Sequence, residues 1–183
     1  PKQLLPWGEK TMLQQVVDTL LVTPVSEIIV VLGYRAEDIA PTLQDRPVHI
    51  VVNQDWPQGL STSVRTGLQA LHKPWDAVLF ALADQPNIPP EVITALIEEY
   101  QRKRALLVVP TYQGQRGNPV IFDRSLLPEL LAIQGDQGGR QLLARHREKT
   151  AEVVVDTPAV ITDIDTPDDY DDYLVAGKLQ IDR

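Results

Sequence analysis

Four short apolar runs follow one another through the first 110 residues, and polar segments separate them. The runs are EIIVVLG at 27–33, HIVVN at 49–53, AVLFALAD at 77–84 and ALLVVP at 105–110. A continuous apolar run of this length is typical of a strand that is covered on both faces, as in a parallel sheet. We therefore expect four buried strands in this part of the chain.

The segments between several of these runs have the periodicity of amphipathic helices. In STSVRTGLQAL the residues Val64, Leu68 and Leu71 fall on one helical face, and PEVITALIEEYQRK has a similar apolar face. Alternation of strands and helices predicts a doubly wound α/β sheet. An α+β domain with antiparallel strands throughout is the alternative.

Beyond residue 110 the alternation becomes less regular. GNPVIF indicates another strand, SLLPELLAI and GRQLLARHRE indicate two short helices, and AEVVVD indicates a strand before an acidic tail. No repeat or linker is visible, so the pattern continues as one unit.

Composition narrows the class of protein. The chain has 183 residues, 43% of them hydrophobic, so it can bury a full core, and one domain over residues 1–183 is expected. The absence of cysteine excludes a disulfide framework and a cysteine nucleophile and fits a cytoplasmic protein. A net charge of -8 without a concentrated basic patch argues against a nucleic-acid partner. No apolar run is long enough for a membrane span, so no membrane partner is expected.

The third run ends on a carboxylate, Asp84, followed by Gln85 and Pro86. In open α/β sheets ligands bind beyond the carboxyl ends of the strands, so a polar residue there faces the ligand. One or two carboxylates together with substrate phosphates suit Mg²⁺. The alternative is that Asp84 only caps a turn or the next helix.

A second acidic cluster lies near the end of the sequence, in VITDIDTPDDYDDYL. Asp163 and Asp165 are two residues apart, and therefore on one side if this stretch is extended. They could share an ion with Asp84. In the alternative interpretation Thr166 is a helix N-cap and the surrounding carboxylates are solvated or favour the positive end of the helix dipole.

The segment NQDWPQGLSTSVRTGL joins the second strand to a helix. Gly59, Ser61 and Ser63 lie at the junction, where unpaired backbone N–H groups and hydroxyls could hold a phosphate. The amide of Asn53 could contact a nucleobase. The alternative is that Ser61 is an N-cap and Trp56 a packing residue.

The remaining titratable candidates are a lysine and three histidines. Lys2 could neutralise charge that develops on a phosphate, although a lone lysine is usually solvated. His49, His72 and His146 show no metal-ligand spacing, and we interpret them as surface or packing residues.

Seven segments in order carry a family resemblance: PKQLLP, VVLGYRAEDI, NQDWPQGLSTSVRTGL, ALADQPNI, GQRGNPVIF, GDQGGRQLL and DIDTPDDY. Together they resemble the molybdenum cofactor cytidylyltransferase branch of the molybdopterin nucleotidyltransferase family over nearly the whole chain. The resemblance implies a Rossmann-like, three-layer α/β/α nucleotidyltransferase fold, with a mostly parallel sheet and a small antiparallel addition. It also implies transfer of CMP from CTP to a molybdopterin-type cofactor, release of pyrophosphate, and Mg²⁺ as the metal.

The resemblance assigns roles by position. Lys2 and Asp84 would be catalytic, with Lys2 on the triphosphate and Asp84 on the metal. Asp163 or Asp165 would be the second metal-side carboxylate. The nucleotide-binding residues would be Lys2, Asn53, Gly59, Ser61 and Ser63, and the acceptor-binding residues would be Gly117, Asn118 and Arg140.

Two departures from the family pattern affect these roles. Family members have a strand and a Gly-rich phosphate loop immediately before the segment PKQLLP, whereas this sequence starts at Pro1. We therefore expect the domain to be N-terminally incomplete. Asn118 stands where a histidine is common in the family.

The implied partners are a nucleoside triphosphate, molybdopterin and a molybdoenzyme of the xanthine dehydrogenase type. A sister enzyme that uses GTP, or CTP with another phosphorylated acceptor, is one alternative. A non-catalytic molybdopterin carrier is an alternative from another class. The carboxylates Asp84, Asp163 and Asp165 favour catalysis, because a carrier needs no metal site.

Overall fold

The computed structural model describes residues 1–136 and 138–175. The strands are β1 (Pro6–Trp7), β2 (Lys10–Thr11), β3 (Ile29–Leu32), β4 (His49–Val52), β5 (Ala77–Phe80), β6 (Leu107–Tyr112), β7 (Gln115–Arg116), β8 (Val120–Asp123) and β9 (Thr150–Val154). The helices are α1 (Met12–Leu21), α2 (Ala36–Ile39), α3 (Leu60–Gln69), α4 (Pro90–Lys103), α5 (Leu127–Leu131), α6 (Arg140–Arg145) and α7 (Pro167–Val175). Every strand and helix that the pattern predicted is present, although β5 ends at Phe80 and Asp84 lies in the loop that follows. Helices α1 and α2 and the short ladders β1–β2 and β6–β7 are additional.

The sheet is mixed, as the fold prediction required. Strands β5 and β6 are both antiparallel to β8, so they run in the same direction, and β9 is parallel to β6. Strands β3 and β4 form a separate parallel pair. These two parallel pairings exclude the alternative of antiparallel strands throughout. The predicted α/β class with a mostly parallel sheet is confirmed.

The antiparallel strand β8 lies inside the sheet, between β5 and β6. The reversal comes from a tight hairpin after β6, in which Tyr112 pairs with Gln115. Its two central residues, Gln113 and Gly114, both have positive φ, which favours a two-residue hairpin turn. The antiparallel part is therefore central in the sheet.

Helices cover both faces of the five-stranded sheet. Along β6, Val108 belongs to the core cluster formed with α4, whereas its neighbours Leu107 and Val109 belong to the cluster with α3 and α5. This alternation is expected of a strand with both faces buried. A third cluster packs α1 and α2 onto β3 and β4. No helix in the described part of the chain is long and apolar enough to cross a membrane.

Helix α1 begins at a capping box. Gln14 N–H donates to Thr11 Oγ1 at 3.2 Å, and Thr11 N–H donates to Gln14 Oε1 at 2.7 Å. Farther along the helix, Asp18 accepts two hydrogen bonds from Arg46, at 2.6 and 3.0 Å, and lies 2.7 Å from Lys10 Nζ. The ion pair holds α1 against the segment that leads into β4.

We expect this ion pair to make stability depend on pH. The hydrogen bond from Arg46, assisted by Lys10, holds the pKa of Asp18 below its usual value even though burial opposes this. A depressed folded-state pKa stabilises the fold above the unfolded-state pKa, and the stabilisation is lost as pH falls through the folded-state value. Asp18→Asn should therefore cost about 1 kcal/mol at neutral pH. The difference should vanish at acid pH.

Urea unfolding at several pH values measures this effect. Asp38→Asn is the matched control, because Asp38 pairs with Arg35 on an exposed surface, where an ion pair contributes little. An Asp18→Asn deficit that persisted unchanged in acid would show that the variant acts through packing and not through the charge.

Candidate functional site

Three charged side chains from distant parts of the sequence meet at one point. Lys2 Nζ donates hydrogen bonds to Asp84 Oδ2 at 2.7 Å and to Asp165 Oδ1 at 2.6 Å. Lys2 lies in a short 3-10 turn at the start of the sequence, Asp84 follows β5, and Asp165 precedes α7. The predicted convergence of Lys2 with both acidic segments is therefore present in the fold.

Backbone contacts hold the two acidic segments together. Ile164 N–H donates to the carbonyl oxygen of Asp84 at 3.0 Å. Ile164 is 3% exposed and packs with Trp7 and Met12, and the Tyr170 hydroxyl donates to the carbonyl of Pro6. The hydrophobic contacts thus fix the segment around Asp165 against the first residues of the chain.

Asp163 and Asp165 contact different partners in this arrangement. Gln85 Nε2 donates to Asp163 Oδ1 at 2.7 Å, while Asp165 faces Lys2. Burial and the negative charge of Asp84 raise the pKa of Asp163 above its usual value. The contribution from Asp84 is the effect expected of one carboxylate near another.

Lys2 remains charged in this cluster. Burial alone would lower its pKa, but the hydrogen bonds to Asp165 and Asp84 outweigh burial, and the pKa lies above its usual value. One ammonium faces three carboxylates, so the site has an excess of negative charge. A cation would relieve the repulsion among the carboxylates.

The donor set also fits a hard divalent cation. Asp84 Oδ1 is buried and accepts no hydrogen bond from any described residue. A buried oxygen without a partner costs about 1–3 kcal/mol, so such atoms generally have a ligand in the working protein. Mg²⁺ and Mn²⁺ prefer carboxylate oxygens of this kind.

The predicted acceptor segment lies next to Gln85. The carbonyl oxygen of Val160 accepts from Gln85 Nε2 at 3.4 Å and from Asn118 N–H at 2.8 Å. A Cβ on Gly117 would lie 2.1 Å from the same oxygen, so only glycine fits there. This close approach explains the glycine structurally, and the acceptor role of Gly117 and Asn118 stays a prediction.

Arg140 is less closely connected to the site. It is the first residue of α6, its side chain is exposed, and it forms no ion pair with a described residue. The acceptor role of Arg140 stays a prediction.

Asn53 fixes the loop that follows β4. Its Nδ2 donates to Thr62 Oγ1 at 2.7 Å and to Ser63 Oγ at 3.0 Å, and its Oδ1 accepts from Asp55 N–H at 2.9 Å. The side chain is 2% exposed. Asn53 therefore positions the loop, and its predicted contact with a nucleobase would require one of these hydrogen bonds to be exchanged.

The first N–H groups of α3 are not unpaired, so that part of the sequence prediction is wrong. Leu60 N–H donates to Asp136 Oδ1 at 3.2 Å and Ser61 N–H donates to the carbonyl of Gly135 at 3.0 Å. Gly59, with φ of 104°, permits this approach, because a Cβ there would lie 2.7 Å from Asp136 Oδ1. The Asp136 carboxylate occupies the kind of position in which a phosphate binds.

Two aromatic residues beyond the carboxyl ends of β3 and β4 were not identified as a site from the sequence. The rings of Tyr34 and Trp56 lie 5.4 Å apart, and the two residues are 62% and 43% exposed. A Cβ on Gly33 would lie 2.7 Å from Trp56 Cβ, so glycine lets the indole approach the end of β3. Exposed aromatic faces of this kind can stack on a planar heterocycle.

Two of the histidines interpreted as surface or packing residues are exposed, and they also contact each other, which their sequence spacing did not indicate. The rings of His49 and His72 lie 5.0 Å apart, and both face Glu27. His146 instead pairs with Glu129 at 2.9 Å. Pairing of β3 with β4 brings His49 next to Glu27, and sequence spacing could not show this contact.

Comparison with known proteins gives the family. A family model described as the MobA-like NTP transferase domain matches residues 1–150. Nicotine blue oxidoreductase of Paenarthrobacter nicotinovorans is 30% identical over 151 residues, which are 78% of this chain and 72% of that protein. Molybdenum cofactor cytidylyltransferase of Escherichia coli K12 is 25% identical over 170 residues, which are 92% of this chain and 84% of that protein.

A solved structure is also similar. The crystal structure of Rv0371c from Mycobacterium tuberculosis H37Rv in complex with manganese has a TM-score of 0.83 and 28% sequence identity. The similarity covers 96% of this chain and 92% of that one. Because the family model spans most of the sequence and the fold agrees, the chain belongs to the MobA-like NTP transferase domain family.

Proposed function

We propose that the chain transfers CMP from CTP to the phosphate of a molybdopterin-type molybdenum cofactor, with release of pyrophosphate. The observation that carries this proposal is the cluster of Lys2 with Asp84, Asp163 and Asp165. One oxygen of this cluster, Oδ1 of Asp84, is buried and has no hydrogen-bond partner among the described residues. The similarity to a molybdenum cofactor cytidylyltransferase supports the choice of substrates. We further propose that residues 1–183 form one domain of this kind in a cytoplasmic protein.

The proposed transfer requires no nucleophile from the protein, because the acceptor phosphate attacks CTP directly. An oxygen of the acceptor phosphate forms a bond to the α-phosphorus of CTP, and the bond from that phosphorus to the bridging oxygen breaks. The electron pair leaves with pyrophosphate. The acceptor phosphate is already ionised at neutral pH, so no general base is needed, and catalysis depends on position and charge.

The charged cluster meets these needs. Asp84, with Asp163 or Asp165, would hold Mg²⁺ or Mn²⁺, which would supply charge neutralisation to the phosphates. Lys2 would donate to the oxygens of the leaving pyrophosphate, exchanging at least one of its carboxylate partners for phosphate. Gln85 holds Asp163 in place and joins the carboxylate cluster to the segment containing Gly117 and Asn118.

We propose that the aromatic pair and the start of α3 contribute to substrate recognition. The exposed faces of Tyr34 and Trp56 could stack on the cytosine or the pterin ring. Ser61 and Ser63, on the first turn of α3, and the turn at Gly59 shape the nucleotide side of the site, with Asn53 holding that loop. A molybdoenzyme of the xanthine dehydrogenase type would receive the product.

A redox function is the second candidate, because one relative that is 30% identical is named an oxidoreductase. Hydride transfer has no obvious use for a lysine surrounded by three carboxylates, whereas phosphoryl transfer does. The two functions are separated by assaying the same preparation for pyrophosphate release and for oxidation of a nicotinamide reductant.

Replacing Asp84 should abolish the transferase. In the complete gene product with Mg²⁺, CTP and molybdenum-loaded molybdopterin, Asp84→Asn should reduce pyrophosphate release by about 100-fold or more, since it removes a charged metal ligand. Asp38→Asn, on an exposed surface pair, is the control and should keep full activity. Equal activity of both variants would exclude Asp84 from the metal site.

The nucleotide preference tests the branch. Pyrophosphate release should be faster with CTP than with GTP or ATP. Preference for GTP would instead indicate the activity of the sister enzyme that uses GTP. Tight binding of the pterin without turnover of any nucleotide would support a carrier and contradict the proposal.

Removing the indole of Trp56 should weaken the binding of one substrate. Loss of a stacking face costs about 1–3 kcal/mol, so Trp56→Leu should raise the KM for CTP or for the acceptor by about tenfold. Trp56→Phe keeps an aromatic face and should recover most of the loss. Unchanged KM values for both substrates in Trp56→Leu would show that the aromatic pair is outside the binding site.

A further inference from the structure

Glu27, His49 and His72 form a compact group of side chains that the proposed transferase does not use. His72 Nδ1 lies 3.4 Å from Glu27 Oε1, and His49 Nε2 lies 3.7 Å from the same oxygen. One potential ligand atom from each residue lies within 4.8 Å of the other two. Among the described residues, this is the one group of three or more His, Cys, Asp or Glu that is so compact.

We propose that these three residues bind a divalent transition-metal ion of the Zn²⁺ type. Two imidazole nitrogens and one carboxylate oxygen are a ligand set that suits Zn²⁺ and neighbouring transition metals, and they do not suit Mg²⁺. The ion would be held by three protein ligands, and water would complete its coordination.

The spacing of the ligand atoms is close to what such an ion requires. Ligands at the usual zinc distances in a tetrahedral site are about 3.3 Å apart. The separations of 3.4 and 3.7 Å from Glu27 Oε1 need only small side-chain rotations to reach that value. His49 and His72 are 57% and 67% exposed in their side chains, so an ion and its water can enter from solvent.

The carboxylate is already fixed in place. The side chain of Glu27 is 5% exposed. Its carboxylate accepts hydrogen bonds from the backbone N–H groups of His72, at 3.2 Å, and Lys73, at 3.3 Å. Burial raises the pKa of Glu27, but these hydrogen bonds outweigh it, so the pKa is below its usual value. The Lys73 ammonium donates to the carbonyl of Ser26 at 2.9 Å. Hydrogen bonds of this kind orient a ligand and increase metal affinity.

The site lies at the opposite end of β3 and β4 from Asn53 and from the pair of Tyr34 and Trp56. Ile29 pairs with His49, the first residue of β4, whereas Asn53 follows the last residue of that strand. Four residues of extended chain span about 13 Å. The ion would therefore lie away from the residues proposed for nucleotide recognition beyond the carboxyl ends of these two strands. It would connect β3, β4 and the residues after α3, and this inference holds whatever the chain transfers.

Calorimetric titration of the chain with Zn²⁺, in excess Mg²⁺ to occupy the carboxylates, tests the proposal. We expect one equivalent of Zn²⁺ to bind with a Kd of about 10 µM or tighter, and the Tm to rise with Zn²⁺ but not with further Mg²⁺. Co²⁺ in place of Zn²⁺ should show visible absorption bands typical of imidazole coordination.

Two variants locate the ion. His49→Gln and His72→Gln should each weaken Zn²⁺ binding by more than about 100-fold, since even outer partners of a metal ligand contribute about 10–100-fold. Both side chains are exposed, so the variants should fold, which circular dichroism checks. His146→Gln is the matched control, because His146 pairs with a glutamate but lacks a second histidine partner.

A fourth variant separates this site from the carboxylate cluster. Asp84→Asn should retain the Zn²⁺ equivalent. The proposal is overturned if no equivalent binds, if His49→Gln and His72→Gln bind as tightly as the unmodified chain, or if Asp84→Asn is the variant that loses the ion.

Discussion

The hydrogen bond from Ile164 N–H to the carbonyl oxygen of Asp84 is the contact on which the arrangement of the candidate site depends. It joins the end of β5 to the acidic segment near the C-terminus, although the two are about eighty positions apart in the sequence. With Ile164 buried beside Trp7 and Met12, the same contact places Asp165 against Lys2. Three carboxylates and one ammonium are thereby concentrated at one edge of the sheet, where repulsion favours a cation.

The two edges of the strands carry different chemistry. At the carboxyl ends, oxygen ligands and Lys2 form a site suited to a hard cation and phosphate. At the amino ends, two imidazoles and a buried carboxylate form a group suited to a softer metal. Glu27 and His49 lie together because β3 and β4 are parallel and their amino ends are side by side.

Much of this could be predicted from the sequence, and the limits have physical causes. Continuous apolar runs located β3 to β6, and the rule that ligands bind beyond strand ends singled out Asp84, which contacts Lys2 in the fold. The interior position of β8 was not predicted, because strand order depends on pairings that a one-dimensional pattern does not contain. The contact of His49 with Glu27 was missed for the same reason, since it depends on the register of β4 against β3.

The loop before α3 shows another limit of sequence patterns. Gly59 and Ser61 predicted a helix start with free N–H groups, and the helix does begin there, but Gly135 and Asp136 from a distant segment occupy those groups. Local propensity determines where a helix begins, whereas tertiary contacts determine which of its polar groups remain available.

The most direct test of the carboxylate cluster is paramagnetic line broadening by Mn²⁺ in the NMR spectrum of the chain, with CTP present and Mn²⁺ substoichiometric. We predict that the amide signals of Asp84, Gln85 and Ile164 broaden first and that excess Mg²⁺ restores them. If Mn²⁺ broadens other signals but leaves these three sharp, with or without nucleotide, the assignment of this cluster as the metal and triphosphate site is contradicted.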